Sequence, residues 1–252
     1  MSDWNSLQYL KFKKQRTQPA TDLLMRLKHS SPRTIVDVGC GPGNSTLEIA
    51  NCFPEAKIVG IDSSANMIET AKGEYPQLDF KQQDVLELEG TFDLIFSNAC
   101  LQWVANHREL IPFLMSKLNN KGVLAVQIPM NGEEPLFQII KEVANESKWG
   151  LRNVKLQPNE TLSPQEYFDI LAGCSSSFDI WEIKYYHNLP NHQALVDWIK
   201  GTRIRPYLDC LADHQRIPFE NEILERAKRL YPVQKNGEVL LGFRRFFFTA
   251  VR

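Results

Sequence analysis

The chain lacks any run of about 18 consecutive apolar residues, so it offers no helical membrane span. Its opening, MSDWNSLQYLKFKKQR, lacks the continuous apolar stretch of a secretory signal. An excess of either charge is missing too. The 29 Lys and Arg residues nearly cancel the 30 Asp and Glu residues, so no global field favours a nucleic acid or an acidic membrane surface. The five cysteines, Cys40, Cys52, Cys100, Cys174 and Cys210, are far apart, odd in number and form no C-x-x-C pair. That leaves a zinc site and a disulfide framework without support. Together these absences predict a soluble, cytoplasmic protein with no nucleic-acid, membrane or metal partner.

Repeats, charge blocks and low-complexity segments are also missing, so organisation must be read from periodicity and punctuation. Strand-like and helix-like pieces alternate through the first half. TIVDV (34–38), KIVGID (57–62), DFKQQD (79–84), FDLIFSN (92–98) and GVLAVQIP (122–129) read as strands. A helix from Asn44 to Phe53 has Asn44 or Ser45 available as its cap, and Ser64 can cap a helix carrying Met67, Ile68 and Ala71. Another helix-like stretch covers 107–118. Such alternation argues for βαβ units around a mainly parallel sheet.

After Pro129 the rhythm changes. Residues 134–149 and 163–173 read as successive helices, the second opened by Ser163, Pro164 and Glu166 as a capping box. A strand-like stretch (177–189), helices near 191–200 and 213–231, and a last strand (238–251) complete the chain. The expected organisation is one domain. It comprises an N-terminal lid and first helix (1–30), a core (31–129), cap helices with an intervening strand (130–237) and a final strand (238–252).

Three glycines, Gly39, Gly41 and Gly43, stand at alternate positions in VDVGCGPGNST (36–46), between a buried strand and a helix. There the chain can turn sharply and pass close to a ligand. The dinucleotide fingerprint G-x-G-x-x-G would place its third glycine at position 44, which is Asn44. A phosphate loop of the Walker type fails as well, since no Gly-Lys-Ser/Thr follows. Asp62 ends the second strand, where an acid accepts ribose hydroxyls in this architecture. Asp84 ends the third, in reach of an adenine amino group. Alone, either acid reads as a cap or a solvated loop residue; in register with Asp37 and the glycine loop they read as a nucleoside site. Cys40, flanked by glycines with no base nearby in sequence, is not expected to act as a nucleophile.

DVGCGPG, GIDSS, QQDV and FDLIFSNACLQW, in that order, resemble the S-adenosylmethionine-dependent methyltransferases of the seven-stranded Rossmann-like class over about residues 30–130. The resemblance implies an α/β fold with a mainly parallel seven-stranded sheet, helices on both faces and a helical cap inserted among the last strands. It implies S-adenosyl-L-methionine as cofactor. Asp37, Gly39, Gly41 and Gly43 would hold its methionine part, Asp62 its ribose, and Asp84 with Val85 its adenine, with Asn44, Ser63 and Met67 also in the expected cofactor set. Asn98 joins this set from the fourth strand, and Arg16 would pair with the cofactor's carboxylate.

A narrower likeness, carried by MSDWNSLQYLKF, GIDSSANMI, LQWVANH, GVLAVQIP and YYHNLPNHQALVDWI, is to small-molecule carboxyl O-methyltransferases. It is weaker in 130–165 and 201–235. What it implies is a methyl ester formed on trans-aconitate or a related small polycarboxylate. A malonyl thioester on a carrier protein, and a non-catalytic cofactor-binding module, stay open beside it. The N-P-P-Y signature of many amino methyltransferases of nucleic acids is missing after Ser97.

A carboxylate acceptor is ionised at neutral pH, so no catalytic base is required and placement is the main demand. The remaining carboxylates need cationic or hydrogen-bonding holders. Arg203 and Arg205 in GTRIRPY are the candidates, with Arg205 preferred for its resemblance to the family pattern. Trp103, Tyr186, His187 and, from the N-terminal arm, Trp4 and Tyr9 complete the expected acceptor set. Alternation puts Tyr186 and His187 on opposite strand faces, and does the same for Arg244 and Arg245.

Overall fold

The computed structural model describes residues 13–152, 161–200 and 203–252. Helix α1 (Lys13–Leu27) precedes β1 (Thr34–Val38), α2 (Asn44–Cys52), β2 (Lys57–Asp62), α3 (Ala65–Glu74) and β3 (Asp79–Gln82). There follow β4 (Phe92–Asn98), α4 (His107–Ser116), β5 (Leu118–Pro129), α5 (Pro135–Ala144) and α6 (Pro164–Cys174). The chain closes with β6 (Ser177–Leu189), α7 (His192–Lys200), α8 (Arg205–Cys210), α9 (Asp213–Leu230) and β7 (Val239–Val251).

The strands form one seven-stranded sheet in the order β3-β2-β1-β4-β5-β7-β6. From β3 to β5 every pairing is parallel, while β7 runs antiparallel to β5. The expected Rossmann-like sheet is therefore present. Its strand order reverses direction at β1, so the connections that leave the neighbouring strands β1 and β4 run to opposite sides and leave a crevice outside their carboxyl ends.

The chain divides into two compact units, with the boundaries falling inside β6 and β7. Among the described residues, the first unit holds 13–129, 161–183 and 245–252, and the second holds 130–152, 184–200 and 203–244. Helix α6, expected among the cap helices, is grouped with the first unit. Tyr167 and Leu171 are fully buried there, and Tyr167 stacks on Phe246 at 5.2 Å between ring centroids. Its cap is the expected one: Ser163 Oγ accepts from Glu166 N–H while Glu166 Oε2 accepts from Ser163 N–H.

In the first unit α1 packs on α2 and β5 and buries Ala20, Leu23, Leu24 and Leu27. Ser64 caps α3 as expected, accepting from Met67 N–H at 3.2 Å. Helix α2 departs from expectation: neither Asn44 nor Ser45 caps it. Gly43, left-handed at φ 90°, occupies the cap position, and both side chains are engaged elsewhere.

In the second unit α9 lies against α5 and α7, burying Phe219, Ile223 and Ala227. Arg226 and Lys148 join Glu146 and Glu222 in a charged cluster over this packing. The six-residue α8 was not anticipated, since an Arg-Pro dipeptide reads as a turn rather than a helix start.

Candidate active site

Parallel pairing carries Gly39, Asp62 and Asn98, and the residue after β3's end that leads to Asp84, to one edge of the first unit's sheet. The glycine loop at this edge answers to two different neighbours. A Cβ on Gly39 would lie 2.2 Å from Cys100, and one on Gly43 would lie 2.7 Å from the Tyr75 ring. Both glycines are demanded by the protein's own packing. Gly41, at φ +54°, would point a Cβ into open space, so it is the position where a ligand can run along the backbone.

Asp62 shapes that loop. Its Oδ2 accepts from Gly41 N–H at 3.0 Å and its Oδ1 from Ser64 N–H at 2.9 Å. A carboxylate oxygen can accept from more than one donor. Asp84 caps the turn that follows β3, accepting from Leu86 N–H at 2.9 Å, with Val85 buried behind it. Ser63 is exposed and Met67 buried.

Asp37 is wholly buried. Its Oδ2 accepts from both Ser45 Oγ and Thr46 Oγ1 at 2.7 Å, tying β1 to the first turn of α2. Burial pushes its carboxyl up to about 6, against the hydrogen bonds of Thr46 and Ser45. Among the described residues its Oδ1 has no hydrogen-bond partner, and neither does the buried Oδ1 of Asn98. Asn98 donates through Nδ2 to the Arg16 carbonyl at 3.5 Å, and Asn44 accepts from Tyr75 Oη. Arg16, Thr17, Gly39, Pro42, Ser45 and Asn98 line a small cleft here.

These groups fit S-adenosyl-L-methionine. An ammonium donor would satisfy the open carboxylate and amide oxygens, ribose hydroxyls the lone pairs of Asp62, and Gly41 leaves the approach clear. Burial and the nearby Asp37 and Asp62 charges raise the Cys40 and Cys100 thiols, which favours their protonated forms. Among the described residues no cluster could hold a metal ion, and no helix is long and apolar enough to cross a membrane.

The expected acceptor residues are dispersed. Trp103 ends the short turn after β4, half-buried, and this turn is anchored by His107, whose Nε2 meets the Leu101 carbonyl at 2.8 Å. His107 Nδ1 in turn meets Tyr167 Oη at 2.5 Å. Trp4 and Tyr9 lie outside the described residues. In the second unit β6 continues through both Tyr186 and His187, so they face opposite ways and the pair is not brought together. Tyr186 is exposed under Lys184, whereas His187 is buried against Trp198 at 4.7 Å.

The two arginines of GTRIRPY differ as well. Arg205 meets Asp209 at 3.9 Å within α8. Arg203 lies 5.1 Å over the Phe137 ring, its guanidinium drawn below its usual range by burial and partly restored by Tyr207.

Sequence reasoning missed Ser45 and Thr46 as holders of Asp37, and Cys100 as the wall against Gly39. No local pattern marks either contact, because both cross between elements.

A family model described as a methyltransferase domain matches residues 29–186. Trans-aconitate 2-methyltransferase of Enterobacter sp. (strain 638) is 40% identical, over 100% of this chain and 99% of that one. The protein of the same name from Shigella flexneri serotype 5b (strain 8401) is 42% identical over the same shares. Among solved structures, the YcgJ protein of Bacillus subtilis is similar in fold, with a TM-score of 0.62 at 14% identity over 93% of this chain and 98% of that one. Phosphoethanolamine N-methyltransferase 2 of Haemonchus contortus, in complex with S-adenosylhomocysteine, gives 0.56 at 16% identity over 93% and 52%. With a family model over more than half its length and full-length relatives at these identities, the chain belongs to the trans-aconitate 2-methyltransferase family of S-adenosylmethionine-dependent methyltransferases.

Proposed function

We propose that this methyltransferase forms a methyl ester on a carboxylate of trans-aconitate. The observation that carries the reading is the likeness to trans-aconitate 2-methyltransferases over the whole chain, at 40% and 42% identity. The bound cofactor supplies an electrophilic methyl on a positively charged sulfur. A carboxylate oxygen forms the new C–O bond as the C–S bond breaks, and the bonding pair leaves with sulfur; one negative and one positive charge disappear together. No proton moves, so the chain needs no general base.

What the chain supplies is placement. Asp62 holds the ribose and stiffens the loop at Gly41, Asp84 and Val85 take the adenine, and Asp37 and Asn98 take the amino group. Arg16 takes the cofactor's carboxylate. Trp103 serves the acceptor, and in the second unit burial makes the Arg203 guanidinium a strong carboxylate partner. The reading includes a cytoplasmic location and no nucleic-acid partner, supported by five free cysteines and a formal net charge of -1.

The test is incubation of the purified protein with S-adenosyl-L-methionine and a panel of di- and tricarboxylates, followed by mass spectrometry. An alkali-labile, singly methylated trans-aconitate is expected. Methylation of a malonyl thioester in preference to every free acid, or cofactor binding without any product, would overturn the reading.

A further inference from the structure

One row of polar side chains in the first unit extends past the cofactor cleft. In the sheet Asp37 opposes Phe96, Asn98 opposes Gln127, and Pro129 opposes Arg245. Paired residues share a sheet face, and so do residues two apart along a strand. Asp37, Asn98, Gln127 and Arg245 therefore lie on one face at the edge where the parallel strands end. It is the face that α1 covers, as the Asn98 bond to the Arg16 carbonyl shows.

This stretch of the face is buried yet not apolar. Gln127 is fully buried and Arg245 is 5% exposed. Arg245 Nη1 donates to Gln127 Oε1 at 3.3 Å, a long contact to a neutral amide. Gln127 Nε2 and Asn98 Oδ1 are buried with no hydrogen-bond partner among the described residues. Orphaned groups of this kind each cost free energy unless something satisfies them, and a buried guanidinium next to a free amide donor is a fork for an oxyanion. The neighbouring Arg244 faces the other way, bonding Met130 and Asn131.

Taking the proposed esterification as given, we infer that Arg245 and Gln127 bind a carboxylate of the acceptor. Asn98 stands between them and the cofactor cleft, so the row places the acceptor's anionic end beyond the cofactor's amino group. Arg245 is then a specificity determinant: it selects polycarboxylates over acids with a single carboxylate.

Two substitutions test this. Arg245→Gln removes the charge, and Gln127→Glu keeps the size while giving Arg245 an internal carboxylate that competes with the acceptor. Each is expected to raise KM for trans-aconitate roughly a hundredfold. Affinity for S-adenosylhomocysteine, measured by calorimetry, should stay within threefold. With an unsaturated monocarboxylate as acceptor, variant and wild type should differ less than threefold. Arg245→Lys should recover part of the loss.

An unchanged KM for trans-aconitate, an equal loss on mono- and tricarboxylates, or loss of cofactor affinity would overturn the assignment. Should Arg245→Gln fail to fold, Gln127→Glu decides alone. Wild-type turnover of trans-aconitate is the control: its failure overturns the proposed substrate, whereas its success with unaltered variants overturns Arg245 alone.

Discussion

In the first unit Asp62 commits both carboxylate oxygens to backbone N–H groups, those of Gly41 and Ser64, whereas in the second Arg205 meets a side chain, Asp209, at 3.9 Å on a short helix. The first arrangement is a property of the main chain. The loop's course fixes where the Asp62 carboxylate stands. The second depends on which of two neighbouring arginines finds an internal partner, and spacing alone does not decide that. A cofactor site made of backbone and strand ends is therefore stereotyped, while an acceptor site made of long side chains is free to vary.

Three substitutions or titrations press on this contrast. The largest effect belongs to the loop. Gly39→Ala sets a Cβ 2.2 Å from Cys100 at a positive φ, and the clash is with Cβ and Sγ close to the main chain rather than with a flexible end. Destabilisation on the order of 3–5 kcal/mol is expected, with loss of measurable S-adenosylhomocysteine binding. A melting temperature within about 2 °C of wild type would show that the loop tolerates what the geometry forbids.

Asp37 gives the next effect. Its carboxyl sits at about 6, above the ordinary 3.8, so the folded protein holds this proton more tightly than the unfolded chain. Its contribution to stability is thus fully present below about pH 4 and is lost as pH rises through 6, a change on the order of 3 kcal/mol. An ammonium ligand favours the ionised form, so cofactor affinity should fall up to tenfold per unit below pH 6 and level off above it. Calorimetry at pH 5 and pH 7 reads the difference. Asp37→Asn should flatten the profile, and an affinity that rises on acidification would remove Asp37 from the site.

The smallest effect separates the two arginines of the second unit. Arg203→Ala is expected to raise KM for the acceptor about tenfold, and Arg205→Ala to leave it within twofold, since an i,i+4 pair of this kind contributes little. The reverse order would restore the preference that sequence resemblance alone suggested.

The fold was legible because periodicity and punctuation agreed. FDLIFSN became β4 residue for residue, and Ser64 and Ser163 capped the helices they were placed before. The places of Asp62 and Asn98 at the ends of β2 and β4 were legible for the same reason. What stayed hidden lies across elements. That α6 belongs with the first unit follows from Tyr167 meeting His107 and Phe246, residues 60 and 79 positions away, and no local pattern announces such contacts. Ser45 looked like a cap and instead serves Asp37. Alternation separated Arg244 from Arg245 without saying which turns inward, and the register of β7 against β5 puts Arg245 on the buried face.

The central claim is that cofactor chemistry is set by the loop and acceptor choice by anionic charge. It is tested most directly by comparing kcat/KM for trans-aconitate with that for the same skeleton lacking one carboxylate. A fall of about a hundredfold on removing that single charge is the predicted result. Equal values for the two acids, or a higher value for an apolar acyl acid, would contradict it.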